Sequence, residues 1–239
     1  MGESGMERPL FQLGGRLATC ARLVRSGRPM ADIGTDHAYL PIWLIKNSIV
    51  PRAVAADIRS GPLAAARKNA EKYGVTEQLA LVLSDGLEAL SPQDADDVVI
   101  AGMGGELMLR MVKETEWLKN PEKRLILQPM SSVPELREGL AESGFSVQEE
   151  IAAEDGGKVY SAFSVQYIST KPETDTFYPY LGKLAPGTAA VRLYAEKVVR
   201  ELKNRAVGAA CEGREREAEK LRELVRAVEI QFIGEKGET

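Results

Sequence analysis

Between Pro29 and about Ile168, short apolar runs alternate with stretches of helical periodicity, and that alternation leaves few folds open to the chain. Met30–Ile33, Ala53–Ile58, Leu79–Leu83, Val98–Ala101 and Leu125–Leu127 are continuous apolar runs of strand length. Such two-sided apolarity suits strands buried between helix layers in a parallel sheet. His37–Asn47, Pro62–Tyr73, Leu107 to about Glu116, and Pro134–Ser143 carry helical spacing between them. Phe145–Ala153 and Val159–Ile168 are joined through Gly156-Gly157 with no room for a helix, so these last two strands should be antiparallel. The expected architecture over residues 1–168 is α/β: a mostly parallel, doubly wound sheet with an antiparallel last strand and a helix at the N-terminus.

Residues 169–186, polar and bearing Pro172, Pro179 and Pro186, read as a linker. Residues 187–239 read as a coiled-coil-like α-helical hairpin, with helices over Thr188–Arg205 and Arg214–Phe232. Gly208 and Gly213 should bracket its turn. No apolar run approaches the roughly 18 residues of a membrane span, and the first residues do not read as a signal peptide. Cys20 and Cys211 form no paired motif, so no metal site is expected and a reducing cytoplasm fits. The net charge of −4 argues weakly against nucleic-acid binding, but its distribution is uneven. Residues 1–28 carry +3, residues 183–239 carry +2 and the middle carries −9. Basic ends on an acidic body suit phosphate contacts made by Arg8, Arg16, Arg22, Arg25 and Arg28, and by Arg192, Arg200, Lys203 and Arg205.

Doubly wound sheets bind ligands at the carboxyl ends of their strands. Here the first strand ends in Asp32-Ile33-Gly34-Thr35-Asp36-His37, one glycine between aspartates rather than the glycine triplet of a pyrophosphate site. Carboxylates repel a pyrophosphate but suit a ligand carrying an ammonium and a sulfonium, as S-adenosylmethionine does. Thr35 or Asp36 could also cap the helix that follows. Asp57, beside Ile58, ends the second strand where it can accept hydrogen bonds from ribose hydroxyls, and Asp85-Gly86 ends the third where adenine would lie.

The fourth strand runs into Gly102-Met103-Gly104-Gly105, whose glycines suit close approach of the backbone to a flat base. Gln128-Pro129-Met130 ends the fifth, and Glu154, Asp155, Lys158 and Tyr160 gather at the last hairpin. Asp36, Gly104, Gln128 and Tyr160 are candidates for an acceptor pocket. No Asn/Asp-Pro-Pro-Tyr/Phe loop follows strand four, and no Pro-Cys occurs there. Grip on an exocyclic adenine amine and a covalent cysteine mechanism are thereby disfavoured.

The run Ala31-Asp32-Ile33-Gly34-Thr35-Asp36-His37-Ala38-Tyr39-Leu40-Pro41, with Ala56-Asp57, Ser84-Asp85-Gly86, Ala101-Gly102-Met103-Gly104-Gly105 and Leu127-Gln128-Pro129, resembles the TrmK family. These are bacterial tRNA methyltransferases acting on N1 of adenine 22, and the resemblance extends over roughly residues 10–235. It implies a Rossmann-like class I methyltransferase domain, S-adenosylmethionine as donor and tRNA as partner. The donor set it implies is Asp32, Gly34, Asp57, Asp85 and the Gly102–Gly105 loop; Thr35, His37, Ile58 and Gly86 are expected to bind the cofactor beside them. Asp36 and Ala38 stand where other methyltransferases repeat glycine, so analogy to those enzymes stops there. Adenine N1 has an in-plane lone pair and needs no general base, so positioning and nearby carboxylates would carry the rate. The target adenine would have to be flipped out or the tRNA opened. A monomer is expected, with a dimer through the hairpin left open. Methylation of another RNA, a small molecule or a protein, and a non-catalytic donor-binding sensor or assembly protein, remain the competing readings.

Overall fold

The computed structural model describes residues 9–234. A nine-residue helix, α1 (Gly15–Leu23), precedes β1 (Met30–Ile33), α2 (Tyr39–Lys46), β2 (Ala53–Asp57), α3 (Ser60–Tyr73) and β3 (Leu79–Leu83). There follow β4 (Asp97–Gly104), α4 (Gly105–Glu114), β5 (Arg124–Ser131), α5 (Val133–Glu142), β6 (Phe145–Asp155) and β7 (Lys158–Tyr167). The strands form one seven-stranded sheet in the order β3-β2-β1-β4-β5-β7-β6. β1 pairs in parallel with both β2 and β4, so strand order reverses there and opens a crevice at the carboxyl ends of these strands.

The apolar runs are explained by burial on both faces. Ala31, Ile33, Val98 and Ile100 pack with Met108 and Met111 of α4 and Leu136 of α5. Met30, Ala53, Ala55 and Val99 point the other way, against Cys20 of α1, Leu40 and Leu44 of α2 and Ala66 of α3. β3 departs from this expectation. It is the sheet's edge strand, and Leu83 is 61% exposed.

The last strand is antiparallel, as expected, and lies inside the sheet. β7 inserts between β5 and β6, with Leu127 opposite Phe163 and Val147 opposite Val165. Gly156 and Gly157 make this possible: both take left-handed conformations (φ 57° and 71°), and a two-residue turn of that kind matches the twist of the flanking strands. The helix expected from His37 starts two residues later, because His37 and Ala38 are both left-handed (φ 61° and 55°). No side chain caps it, since the Thr35 hydroxyl is given to Asp32 instead.

Residues 169–186 are not a free linker. They contain a short helix, α6 (Tyr178–Leu181), and bury Tyr178, Leu181 and Leu184. The hairpin beyond consists of α7 (Ala189–Cys211) and α8 (Glu215–Val228), the latter ending in a π turn over Glu229–Ile233. Gly208 lies inside α7; the turn is made by Gly213 alone (φ 74°). The α7 residues Val191, Tyr194, Val198 and Leu202 pack with Leu221, Val225 and Val228 of α8, and Ala152 of β6 and Val159 of β7 close the same cluster. The expected division between residues 1–168 and 187–239 is therefore crossed by a shared core.

A buried ion pair sits at this junction. Arg137 of α5 meets Glu150 of β6, both side chains wholly buried. Arg137 also donates to the Pro179 carbonyl at 2.8 Å, and Glu150 accepts from the Lys183 amide at 3.0 Å. Ser161 and Tyr194 complete the group from β7 and α7. One pair thus ties the sheet, the connecting segment and the hairpin together.

Candidate functional site

A cleft of about 510 Å³ opens at the carboxyl ends of β1, β2, β3 and β4, a size ordinary for a small-molecule site. Gly34, Asp57, Ile58 and Asp85 line it together with Gly86, Gly102 and Met103, so four separate strand ends converge as the sequence suggested. Its floor is made by glycine. Gly34 is left-handed (φ 72°), and a Cβ there would stand 2.0 Å from Met103 Cε. The turn is held by the Ala56 carbonyl, which accepts from the Gly34 and Thr35 amides at 2.8 and 3.0 Å.

Each carboxylate has a different setting. Asp57 is buried and accepts from the Arg59 amide at 2.8 Å, which fixes the turn out of β2. Asp85 is exposed, on a turn whose Ser84 hydroxyl donates to the Gly86 carbonyl at 3.0 Å. Asp32 lies beneath the lining, 7% exposed, and accepts from the Thr35 hydroxyl at 2.6 Å. Burial raises its pKa to about 6; the Thr35 hydrogen bond and the Arg16 charge hold it down, while Asp57 adds to the rise. Near neutrality the cleft therefore has a buried carboxylate short of positive partners, which a cationic ligand would supply.

Some candidates lie elsewhere. Asp36 points to solvent, its side chain 82% exposed and 3.3 Å from His37 Nε2. Tyr160 faces a second groove of about 490 Å³ between β7 and α7, lined also by Met130, Lys158, Leu193 and Arg200. That groove shares no residue with the cleft, so Tyr160 and Gln128 do not form one pocket. Gly105 is required by packing against backbone, and Gly104 sits close to a serine side chain. A Cβ would fall 3.2 Å from Ser131 Oγ at Gly104 and 2.4 Å from the Ser132 carbonyl at Gly105. Only the Gly102-Met103 half of that loop reaches the cleft.

Gln128 is buried and committed to the same loop. Its Oε1 accepts from the Gly102 amide at 3.2 Å and from Arg16 Nη1 at 3.0 Å. Arg16 is thereby placed at the cleft and not on an outer phosphate-binding face. Asp155 accepts from the Arg16 amide at 3.1 Å, giving that hairpin residue a structural task. Cys20 sits behind, its thiol pushed up to about 12 by burial, which leaves it no nucleophilic role.

The N-terminal arginines do not form one surface, because Arg16 lies toward the carboxyl ends of the strands and Arg25 at their amino ends. Arg25 lies at the amino end of β4, donating through its amide and Nε to the buried Asp97, each at 2.7 Å. Arg28 is 3.5 Å from Asp96 at the same edge. Arg25 is therefore committed to a buried carboxylate, while Arg28 keeps a half-exposed side chain beside Asp96, Arg22 is exposed on α1 and Arg8 lies outside the described residues. Arg25→Ala should cost about 3 kcal/mol, since it strips a buried carboxylate of its partner. Denaturant unfolding checks this, and RNA affinity should be unchanged in the folded variant.

On the hairpin, Arg192 pairs with Glu196, Lys203 with Glu229, and Arg205 donates to the Tyr180 hydroxyl at 3.3 Å. Exposed pairs of this kind are worth about 0–1 kcal/mol and are easily exchanged for phosphate. Sequence reasoning missed Arg59, Leu107, Arg110 and Met111 as cleft residues. Arg59 alone had a local signal, standing two residues beyond a strand-end aspartate. Among the described residues there is no cluster able to hold a metal ion, and no helix is long and apolar enough to cross a membrane.

Residues 13–163 match the family model described as a methyltransferase domain. The tRNA (adenine(22)-N(1))-methyltransferase of Bacillus subtilis is 36% identical over 150 residues, 63% of this chain. The match likewise spans 63% of that relative's length. In three dimensions the chain is similar to the crystal structure of the B. subtilis m1A22 tRNA methyltransferase TrmK. The TM-score is 0.78 at 27% identity, over 92% of this chain and 99% of that one. It is similar also to a putative tRNA (m1A22) methyltransferase of Streptococcus pneumoniae solved in complex with S-adenosyl-L-methionine. There the TM-score is 0.74 at 27% identity, over 89% and 97% of the two chains.

Proposed function

The chain belongs to the TrmK family of methyltransferases, and on that premise we propose that it transfers a methyl group from S-adenosylmethionine to N1 of adenine 22 in tRNA. The observation that carries the reading is the cleft itself. Carboxyl-bearing ends of three strands meet at a glycine floor, with Arg59 and Arg110 also on the lining, and the buried Asp32 beneath it suits a cationic ligand.

When bound, S-adenosylmethionine supplies an electrophilic methyl group on a sulfonium. The protein's own part is to hold and orient. Asp57, fixed by the Arg59 amide, takes the ribose hydroxyls, and Asp85 with Gly86 flanks the adenine side. The buried Asp32 balances the donor's positive charge from below. Adenine N1 enters over Gly102-Met103, and its lone pair lies in the ring plane, so no residue has to remove a proton. Rate then comes from alignment of N1 with the methyl carbon. In this reading the groove beside Tyr160 and Arg200, with the hairpin beyond it, holds the tRNA outside the cleft. The protein works in the cytoplasm as a monomer in this reading.

Purified protein incubated with labelled S-adenosylmethionine and unmodified bacterial tRNA should yield 1-methyladenosine by nucleoside mass spectrometry. The signal should vanish when adenine 22 is replaced. Donor binding without methyl transfer to any tRNA would overturn the assignment.

A further inference from the structure

Arg16 reads from the sequence as one of several surface cations, yet its guanidinium lies against the loop that closes the cleft. Nη1 donates to Gln128 Oε1 at 3.0 Å, and the same oxygen accepts from the Gly102 amide at 3.2 Å. A Cβ on Gly102 would stand 2.8 Å from that Nη1, so the guanidinium occupies the space a side chain would need. Gly102 is left-handed (φ 78°), and Met103, the next residue, reaches over Gly34 on the cleft floor. The start of α1 is held independently: Asp155 accepts from the Arg16 amide at 3.1 Å, and Gly15 lies close against the Glu154 carbonyl.

We propose that Arg16 is a positioning residue for methyl transfer, clamping the Gly102-Met103 turn through Gln128 so that the cleft keeps the shape in which acceptor and donor meet. The chemistry of the clamp is specific. A neutral amide oxygen that receives both a guanidinium and a backbone N–H is oriented without ambiguity, and its own amide nitrogen is turned to the Pro129 carbonyl at 3.0 Å. Removing the guanidinium takes away one of the three hydrogen bonds that orient the Gln128 amide and loosens the acceptor of the Gly102 N–H. Met103 then loses its fixed place over Gly34. Arg16 also lies near enough to Asp32 to hold down that carboxyl's proton affinity, which ties the clamp to the donor side.

The test uses Arg16→Ala, Gln128→Ala and the double variant in the full chain. Hydrogen exchange followed by mass spectrometry reads the segment 101–104 directly and does not depend on the proposed reaction. Exchange there should rise about tenfold or more in each single variant. Methylation of unmodified tRNA rests on the function proposed above. There kcat should fall about 100-fold in each single variant, as misplacement by about 1 Å costs, with KM for the donor within about threefold. The double variant should be no worse than the weaker single one, because the two residues act as one unit. An Arg16→Ala protein whose 101–104 segment exchanges at the wild-type rate would sink the inference. So would losses that multiply in the double variant, or a raised donor KM with kcat unchanged. Failure of wild-type protein to methylate tRNA, with the exchange result as expected, would count against the function and leave the clamp standing.

Discussion

Asp32→Asn is expected to raise the stability of the free protein at pH 8 while weakening its hold on S-adenosylmethionine about 100-fold. Both effects come from the same buried carboxyl. Its pKa in the folded protein is raised to about 6 from 3.8, chiefly by burial. A raised pKa means the folded state favours the protonated form. Stability from this group is then full below the unfolded value near 4 and is lost as pH rises through 6. At pH 8 the ionised form costs the fold about 3 kcal/mol. An asparagine can still accept the Thr35 hydroxyl and carries no charge to bury, so its melting temperature should exceed wild type at pH 8 and converge with it near pH 4. The donor reverses the balance, because its positive charge pairs with the ionised form. Loss of a buried charge partner costs about 3 kcal/mol of binding, hence the factor of 100. Calorimetric titration should also show wild-type affinity rising from pH 5 to pH 7 and the variant flat. A variant that bound the donor as tightly as wild type at pH 7 would remove Asp32 from the site.

Arg137→Met should lower stability by about 3–5 kcal/mol, roughly a 10 °C fall in melting temperature for a chain of this size. The substitution leaves Glu150 buried with only the Lys183 amide as a partner. Combining it with Glu150→Leu should recover much of the loss, since two apolar side chains can replace a buried pair at little cost. Thermal melts of the three proteins decide the matter. A single variant as stable as wild type would show that the pair does not hold the hairpin to the sheet.

What the sequence made legible follows from range. β1 and β3 are found at the expected residues because an apolar run bounded by turn residues is a local signal. Asp57, Asp85 and Gly34 were legible for the same reason, since a strand end specifies where a side chain goes once the sheet is parallel. The exposed edge of β3 was not, because strand order is a property of the whole sheet. Residues 169–186 read as a linker because three prolines outweigh Tyr178, Leu181 and Leu184, whose burial depends on α5 and α7. Arg16, Arg25 and Arg137 all look like solvated cations. Their partners, Gln128, Asp97 and Glu150, are 112, 72 and 13 residues away. Charge counted along the chain cannot separate a cation facing water from one buried against a carboxylate.

The contact of Asp155 with the Arg16 amide joins residues 139 positions apart. A ribosome delivers the first helix long before the last hairpin, and contacts of such separation are the slow part of folding. Every carboxylate of the cleft, from Asp32 to Asp85, emerges in between. An unfinished chain thus holds the donor-side residues while the clamp across Gly102 has no anchor. On the function and clamp proposed above, the working geometry would be completed by one of the last strands, and competence would arrive with the finished sheet and not piecemeal during synthesis.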